Sequence, residues 1–558
     1  MGRGASRRPF CIASCFGWTQ ALLGITLAVF LAACDLRPGG VEYLMNAPEA
    51  RSAEILTTAG PVRGVVAREG QAFLGIPFAA PPTGPLRWKP PQPLTPWQNP
   101  RDATRLGNSC MQNFGINYVL GNRSAFWIAG DEDCLNLNLY APAHARPDAR
   151  LPVMVWLYGG TLVLGSNHQY DPSRLAQAQD VIVVVPNYRL GTLGFLSHPA
   201  LRAEAGGAAN LGLLDQQAAL RWVRDNIARF GGDPSNVTLF GESAGSWSVC
   251  FQLAAPGAAG LFQRAILQSG VCTLSTSATP VAGADAAGLE LAEAVGCGDP
   301  ATAPSCLRSL PARELTGTPA RTRGIAGPRS WNAVTGDTVL PLAPREAFAS
   351  GRFNRVPVLN GTNRNEGRLF SLLLRLTGEL YTEESYEAQV ARLLGPHTGA
   401  VLDAYGRDMP VPERFAALAT DGVFACPALR LDRQLAAHVP VHAYEFADEQ
   451  AVSRIPSLPF LPPLGAYHAG EVAYVFQTPW VLASPAGFTP AQRALADRMQ
   501  RAWGRFAWGE VPGAAGLPPW PRFDPEVEQV LSLEPGGSRL RDNLADAHRC
   551  RLWDALGY

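Results

Sequence analysis

A serine between glycines, Gly241-Glu242-Ser243-Ala244-Gly245, follows the apolar run Val237-Thr238-Leu239-Phe240. Its hydroxyl is a candidate nucleophile. G-x-S-x-G at a turn from strand to helix raises the serine Oγ above a sheet, and small residues on both sides let that turn pack tightly. The bare pattern is weak, since a glycine-rich chain of this length supplies roughly a quarter of a match by chance. The strand before it and the helical segment after it make it specific.

A serine hydroxyl is a poor nucleophile near neutral pH and needs a base, normally a histidine held by a carboxylate. Where such a turn follows a strand, the chain order is serine, acid, histidine. Of eight histidines, that order excludes His144, His168 and His198. His397 falls in a segment that reads as helical cover, His438 and His442 adjoin or occupy an apolar strand, and His548 sits in a helix-like terminal segment beside Cys550. His468 remains, in the glycine-flanked loop Leu464-Gly465-Ala466-Tyr467-His468-Ala469-Gly470. For the acid, Glu366 lies just beyond the run Val356-Pro357-Val358-Leu359, at the carboxyl end where acids of open sheets converge. Tyr158-Gly159-Gly160-Thr161 follows another strand, so the N–H groups of Gly160, Thr161 and Ala244 are candidates for an oxyanion hole. On the residues alone, a surface-loop histidine, a solvated carboxylate and a plain glycine turn compete with these assignments.

The elements that must position these groups read as an α/β fold with a mostly parallel, doubly wound central sheet. Val153–Tyr158, Val181–Val185, Val237–Phe240, Ala265–Gln268, Val356–Leu359 and Val441–Phe446 are short and continuously apolar, as strands covered on both faces are. Leu213, Leu220, Val223 and Ile227 recur at helical period between two of them. Leu369 to Leu435 lacks strand signals and reads as a helical insertion covering the site.

The 558 residues carry 47 basic and 47 acidic side chains, and this balance argues against a nucleic-acid partner. No C-x-x-C pair and no H-E-x-x-H occurs, which argues against a metal site; the chemistry above needs no metal or organic cofactor.

The first 33 residues read as an address. Arg3, Arg7 and Arg8 precede the uncharged stretch Ala21 to Ala33, too short to span a bilayer and suited to a signal peptide. Ser6-Arg7-Arg8-Pro9-Phe10 resembles a twin-arginine export motif, and Leu31-Ala32-Ala33-Cys34 resembles a bacterial lipobox. Cleavage before Cys34 would leave that thiol for lipidation, residues 34–52 as a tether, and residues 53–558 as one catalytic domain in the cell envelope, held to the membrane by its lipid alone. Cys110, Cys134, Cys250, Cys272, Cys297, Cys306, Cys426 and Cys550 then remain, an even number that suits an oxidising destination. Spacing alone does not choose among the pairings.

Linked motifs place the chain near a known family. Phe230-Gly231-Gly232 with Val237, Leu239 and Gly241–Gly245, and Glu132-Asp133-Cys134-Leu135-Asn136-Leu137-Asn138-Leu139-Tyr140, resemble the two signatures of the type-B carboxylesterases, the α/β-hydrolase family of cholinesterases and bacterial carboxylesterases. Phe73–Pro77, Gly84–Trp88 and Asn187–Gly191 resemble it too, so the likeness spans Gly64 to Trp553. The resemblance implies an α/β-hydrolase fold with a Ser243–Glu366–His468 triad, and hydrolysis of small-molecule carboxylic esters through an acyl-serine. It implies disulfides Cys110–Cys134, Cys297–Cys306 and Cys426–Cys550, and ion pairs Arg87–Glu132 and Arg189–Asp215. Cys250 and Cys272 are either a further pair or free thiols.

The departures are Asn136 in the second signature, Asn365 where the family's acid motif carries Asp, and Gly159-Gly160-Thr161-Leu162 where it carries a third glycine or an alanine and then an aromatic residue. Trp127 has the wrong spacing to Cys134 to match a choline-binding tryptophan, which argues against a cholinesterase. The alternatives are a lipase or amidase of the same mechanism, and a surface-anchored binding protein on this fold without catalysis.

Overall fold

The computed structural model describes residues 51–113, 128–317, 331–376, 382–455 and 463–557. The signal peptide, Cys34, the tether up to residue 50 and Trp127 lie outside them. Arg51 and Ser52, read above as the end of the tether, already belong to the first strand.

Twelve strands form the path of a large mixed sheet. They are β1 (Arg51–Leu56), β2 (Pro61–Ala67), β3 (Gly70–Pro77), β4 (Asn136–Ala141), β5 (Leu151–Leu157), β6 (Ile182–Pro186), β7 (Gly232–Glu242), β8 (Arg264–Gln268), β9 (Val358–Asn363), β10 (Val441–Phe446), β11 (Val530–Leu533) and β12 (Arg539–Arg541). Their spatial order is β1-β2-β3-β4-β6-β5-β7-β8-β9-β10-β11-β12, and the two-residue strand Arg101–Asp102 pairs beside β2. From β6 to β11 every pairing is parallel, so the expected parallel centre is present. The sequence reading missed the flanks, where β1 to β4 and β6 pair antiparallel, as do β11 and β12. The outermost of these strands are short or polar: β1 has only exposed and half-buried residues, and β12 is Arg-Leu-Arg.

Strands β5 and β6 are apolar throughout because both faces are covered. Every residue of β5 and β6 is buried. On one face Trp156 of β5 and Phe240 of β7 pack edge to face, 4.7 Å between ring centroids, and Trp156 meets Phe476 of the short helix Val472–Phe476 at 4.9 Å. On the other face Gly241 backs directly onto the helix that follows Ser243. Helix α1 (Leu211–Asn226) precedes β7, and α2 (Ala244–Ala254) leaves it; all eleven residues of α2 are buried. Such a helix is stable only inside the protein, because it has no polar face for water. The cover is helical as expected: α3 (Gly367–Leu376), α4 (Val411–Ala419), a π-helical turn Thr420–Ala425 and α5 (Cys426–Ala436) fall within it. Among the described residues no helix is long and apolar enough to cross a membrane.

The parallel register brings the functional strand ends to one rim. Glu242 at the end of β7 pairs with Gln268 at the end of β8, and Gln268 pairs with Gly361 of β9. Covalent and ionic ties fix the connections. The eight body cysteines form Cys110–Cys134, Cys250–Cys272, Cys297–Cys306 and Cys426–Cys550. The second of these, left open by the sequence, staples α2 to the loop after β8. Arg87 forms a two-pronged pair with Glu132, at 2.6 Å on each prong, and Arg189 forms one with buried Asp215, at 2.7 Å on each.

A third cluster ties the carboxyl-terminal segment to the sheet. His548 lies 2.7 Å from Asp421 through Nδ1 and 3.2 Å from Glu445 of β10 through Nε2; Glu445 also accepts from Arg364 and Arg541. Burial would lower the His548 pKa, but its hydrogen bonds to the two accepting carboxylates outweigh that and push it up to about 9. A raised value makes the stabilisation complete below the ordinary 6.5 and lost as pH climbs through about 9. The melting temperature of His548→Gln should therefore lie below wild type at pH 6, with the gap closing as pH passes 9. A gap independent of pH would remove the charge from this tie.

Candidate active site

Ser243 sits where β7 turns into α2. Its backbone is forced to φ +56° and ψ −124°, a region costing about 1–3 kcal/mol for a residue with a side chain. The turn persists because its surroundings leave no room for another path. A Cβ on Gly245 would stand 1.9 Å from the carbonyl oxygen of Leu157, and one on Gly241 would stand 2.6 Å from the backbone of Gly245. The Ser243 N–H donates to the Gln268 carbonyl at 2.9 Å, and its own carbonyl accepts from Trp247 at 2.9 Å. The side chain stays partly exposed, and Oγ has no hydrogen-bond partner among the described residues.

Glu366 and His468 meet as expected. Nδ1 of His468 lies 2.7 Å from Oε2 of Glu366, although the two are 102 residues apart. Glu366 is fully buried, and its Oε1 accepts the Asn363 N–H at 2.7 Å. Asn365, the substitute for an acidic residue, joins the two loops: its Oδ1 accepts from Ala466, and its N–H donates to the Ala466 carbonyl. An amide oxygen performs this acceptance as well as a carboxylate oxygen, so the departure leaves the junction intact.

The opposite ring nitrogen shows something the sequence did not suggest. Nε2 of His468 stands 3.2 Å from Oε1 of Glu242, the residue immediately before Ser243. The imidazole therefore lies between two carboxylates, with Phe370 of α3 and Phe424 of the π-helical turn against it at 5.0 and 4.9 Å. Burial works against its charge, but Glu242 and Glu366 outweigh that and raise its pKa from 6.5 to about 9. Burial pushes Glu242 well above the ordinary carboxylate range, with His468 opposing that shift. Nearby Glu471, also fully buried, is pushed up to about 7 by burial and then by Glu366.

The glycine segment after β5 lies beside the elbow. A Cβ on Gly159 would be 3.0 Å from the Ser243 Cβ. Gly160, Thr161 and Leu162 all take left-handed backbone, at φ +110°, +54° and +61°. For β-branched Thr161 this is an uncommon conformation, and its Oγ1 is buried with no hydrogen-bond partner among the described residues. Among the described residues the N–H groups of Gly160, Thr161 and Ala244 donate to no protein acceptor.

The excluded histidines are engaged elsewhere. His168 contacts the Gly107 carbonyl, His442 contacts the Pro521 carbonyl, and His548 belongs to the terminal ion cluster. Sequence reasoning missed Glu242 as a neighbour of the ring, and it missed Glu471, Gln268 and Asn363. The available signal was polar residues ending apolar strands: Gln268 closes Ala265-Ile266-Leu267, Asn363 closes β9, and both are completely buried.

The arrangement of an elbow serine, a buried acid–imidazole pair and unengaged backbone donors agrees with comparison to known proteins. The model of the carboxylesterase family matches residues 51–553. Cocaine esterase of Oryctolagus cuniculus is 36% identical over 525 residues, covering 89% of this chain and 94% of that protein. Fumonisin B1 esterase of Sphingopyxis macrogoltabida is 37% identical over 492 residues, covering 84% of each. Among solved structures, a thermophilic PNB esterase superposes with a TM-score of 0.74 at 31% identity, over 90% of this chain and 99% of that one. With strand order, elbow and sequence in agreement, the chain belongs to the carboxylesterase family, has the α/β-hydrolase fold and is a serine carboxylesterase.

Proposed function

We propose that Ser243, His468 and Glu366 carry out this hydrolysis of carboxylic esters. The observation that carries the reading is the 2.7 Å bond between buried Glu366 and Nδ1 of His468, beside a serine held at φ +56° with its hydroxyl unengaged. A carboxylate on Nδ1 fixes the tautomer that leaves Nε2 as the base, and it stabilises the imidazolium that forms.

Nε2 leaves Glu242 for the adjacent Ser243 Oγ and takes its proton as Oγ attacks the ester carbonyl. The N–H groups of Gly160, Thr161 and Ala244 receive the developing oxyanion, each donor of this kind contributing about 2.7–4 kcal/mol to the barrier. The imidazolium protonates the leaving alcohol, then the neutral ring activates water, and the acyl-serine is hydrolysed to acid and free enzyme. The relatives' names include esterases of cocaine and of fumonisin B1, so the feature shared across them is the ester carbonyl rather than one alcohol.

Four disulfides in the body support export to an oxidising compartment, with residues 1–33 as signal peptide and Cys34 as the lipidated residue.

Ser243→Ala should lower turnover of a short p-nitrophenyl ester by a factor on the order of 10⁴ or more, and abolish covalent labelling by an organophosphate. Turnover close to wild type would remove the assignment. The base must be neutral to act, so the acid limb of kcat/KM should fall above the ordinary histidine value of 6.5. Glu242→Gln, which deletes one of the charges holding the ring protonated, should move that limb to lower pH. An unmoved limb would separate Glu242 from the base.

A further inference from the structure

Gln112 is buried in the segment held by the Cys110–Cys134 disulfide, and it meets a glycine 53 residues away in the chain. Its Oε1 accepts the Gly165 N–H at 2.9 Å. Its Nε2 donates to the Gly165 carbonyl at 3.0 Å and to the Cys110 carbonyl at 2.9 Å. One side chain thus satisfies both backbone groups of Gly165. The amide is not free to turn over, because inversion would set Oε1 against two carbonyls. Gly165 ends the turn that carries the Gly160 and Thr161 N–H groups. It stands at φ +118°, so close behind the start of that turn that a Cβ on it would lie 2.5 Å from the Gly159 carbonyl oxygen and 2.5 Å from the Tyr158 ring. Within the turn the Gly160 carbonyl accepts from Val163 and Leu164 at 3.1 and 3.0 Å. The turn needs support from outside: Gly160, Thr161 and Leu162 are left-handed in succession, and two of them carry side chains that disfavour this conformation. The Gly191 N–H holds its middle through the Leu162 carbonyl at 2.8 Å, and Gln112 holds its end.

We propose that Gln112 is a positioning residue: by clasping both backbone groups of Gly165 it keeps the strained turn closed and the N–H groups of Gly160 and Thr161 aimed at the oxyanion. This rests on the assignment of those two donors above. The Cys110–Cys134 bond anchors the clasp at its other end. An amide presents a donor and an acceptor side by side, as a bond to both backbone groups of one residue requires; a carboxylate in its place would meet two carbonyls with an acceptor.

The test is Gln112→Met in the full chain, assayed with p-nitrophenyl butyrate and with a trifluoromethyl ketone of the same acyl length, whose carbonyl adds the Ser243 oxygen and becomes an oxyanion. Methionine keeps the length of the side chain and gives up its three hydrogen bonds. The donors act on charge that develops only in the transition state, so kcat should fall about tenfold or more while KM changes by less than about threefold. The inhibition constant of the ketone should rise by about the factor by which kcat/KM falls. Gln112→Asn, whose amide stops one methylene short of Gly165, should show the same split, and it decides the matter if Gln112→Met does not fold. Near-wild-type kcat in a folded variant overturns the proposal, and so does a fall in kcat that leaves the ketone's inhibition constant unchanged, which marks a merely structural role. Wild type should bind the trifluoromethyl ketone about a hundredfold or more tighter than the matching methyl ketone. Equal binding of the two sinks the oxyanion assignment itself, whatever Gln112 does. Tight binding by wild type beside an unaffected Gln112→Met sinks only the positioning role.

Discussion

An imidazole taken out of water, held on one nitrogen by a carboxylate and faced on the other by a second, is the constraint that organises this protein. His468 is only 6% exposed, yet its surroundings favour charge, because Glu366 and Glu242 lie 2.7 and 3.2 Å away. Burying carboxylates beside it is costly unless each receives hydrogen bonds or shares a proton. Two of the buried acids are served in this way, Glu366 by Asn363 and Glu471 by Asn363 and Gln268, whereas Oε1 of Glu242 has no hydrogen-bond partner among the described residues; Phe370 and Phe424 pack against the ring.

The elbow is the mechanical counterpart of that electrostatic arrangement. Ser243 occupies a backbone region that an isolated chain avoids, and the strain is sustained by elements on every side. Strand β5 presses its Leu157 carbonyl against Gly245, β8 accepts the Ser243 N–H, and α2 is buried along its whole length. A disulfide from Cys250 to Cys272 ties α2 to the loop leaving β8, so the parts that pinch the serine cannot separate without breaking a covalent link. The strained turn and the buried acids share one support, since Gln268 holds Ser243 by its backbone and Glu471 by its side chain.

Much of this was legible because local pattern reports local physics. Continuous apolarity marked the parallel centre, where both faces of the sheet are covered. The glycines around Ser243 marked a turn in which any Cβ would collide. Chain order and neighbouring glycines singled out His468, and the end of β9 singled out Glu366. The antiparallel flank was not legible, because strands such as β1 and β12 owe their existence to partners rather than to their own apolar residues. Thr161 could be flagged as an unusual residue in its loop, but its left-handed backbone could not be read from its identity.

The amino-acid sequence by itself determined which side chains were available for acyl transfer, which strands would carry them and in what order along the chain. Those are matters of residue type, period and turn chemistry, each set within a few neighbouring positions. Only the tertiary structure decided that Glu242 faces Nε2, that Cys250 joins Cys272, and that Glu471 reaches two strand ends at once. Such contacts join residues far apart in the chain, and parallel register and burial bring them within reach where no local pattern encodes the meeting.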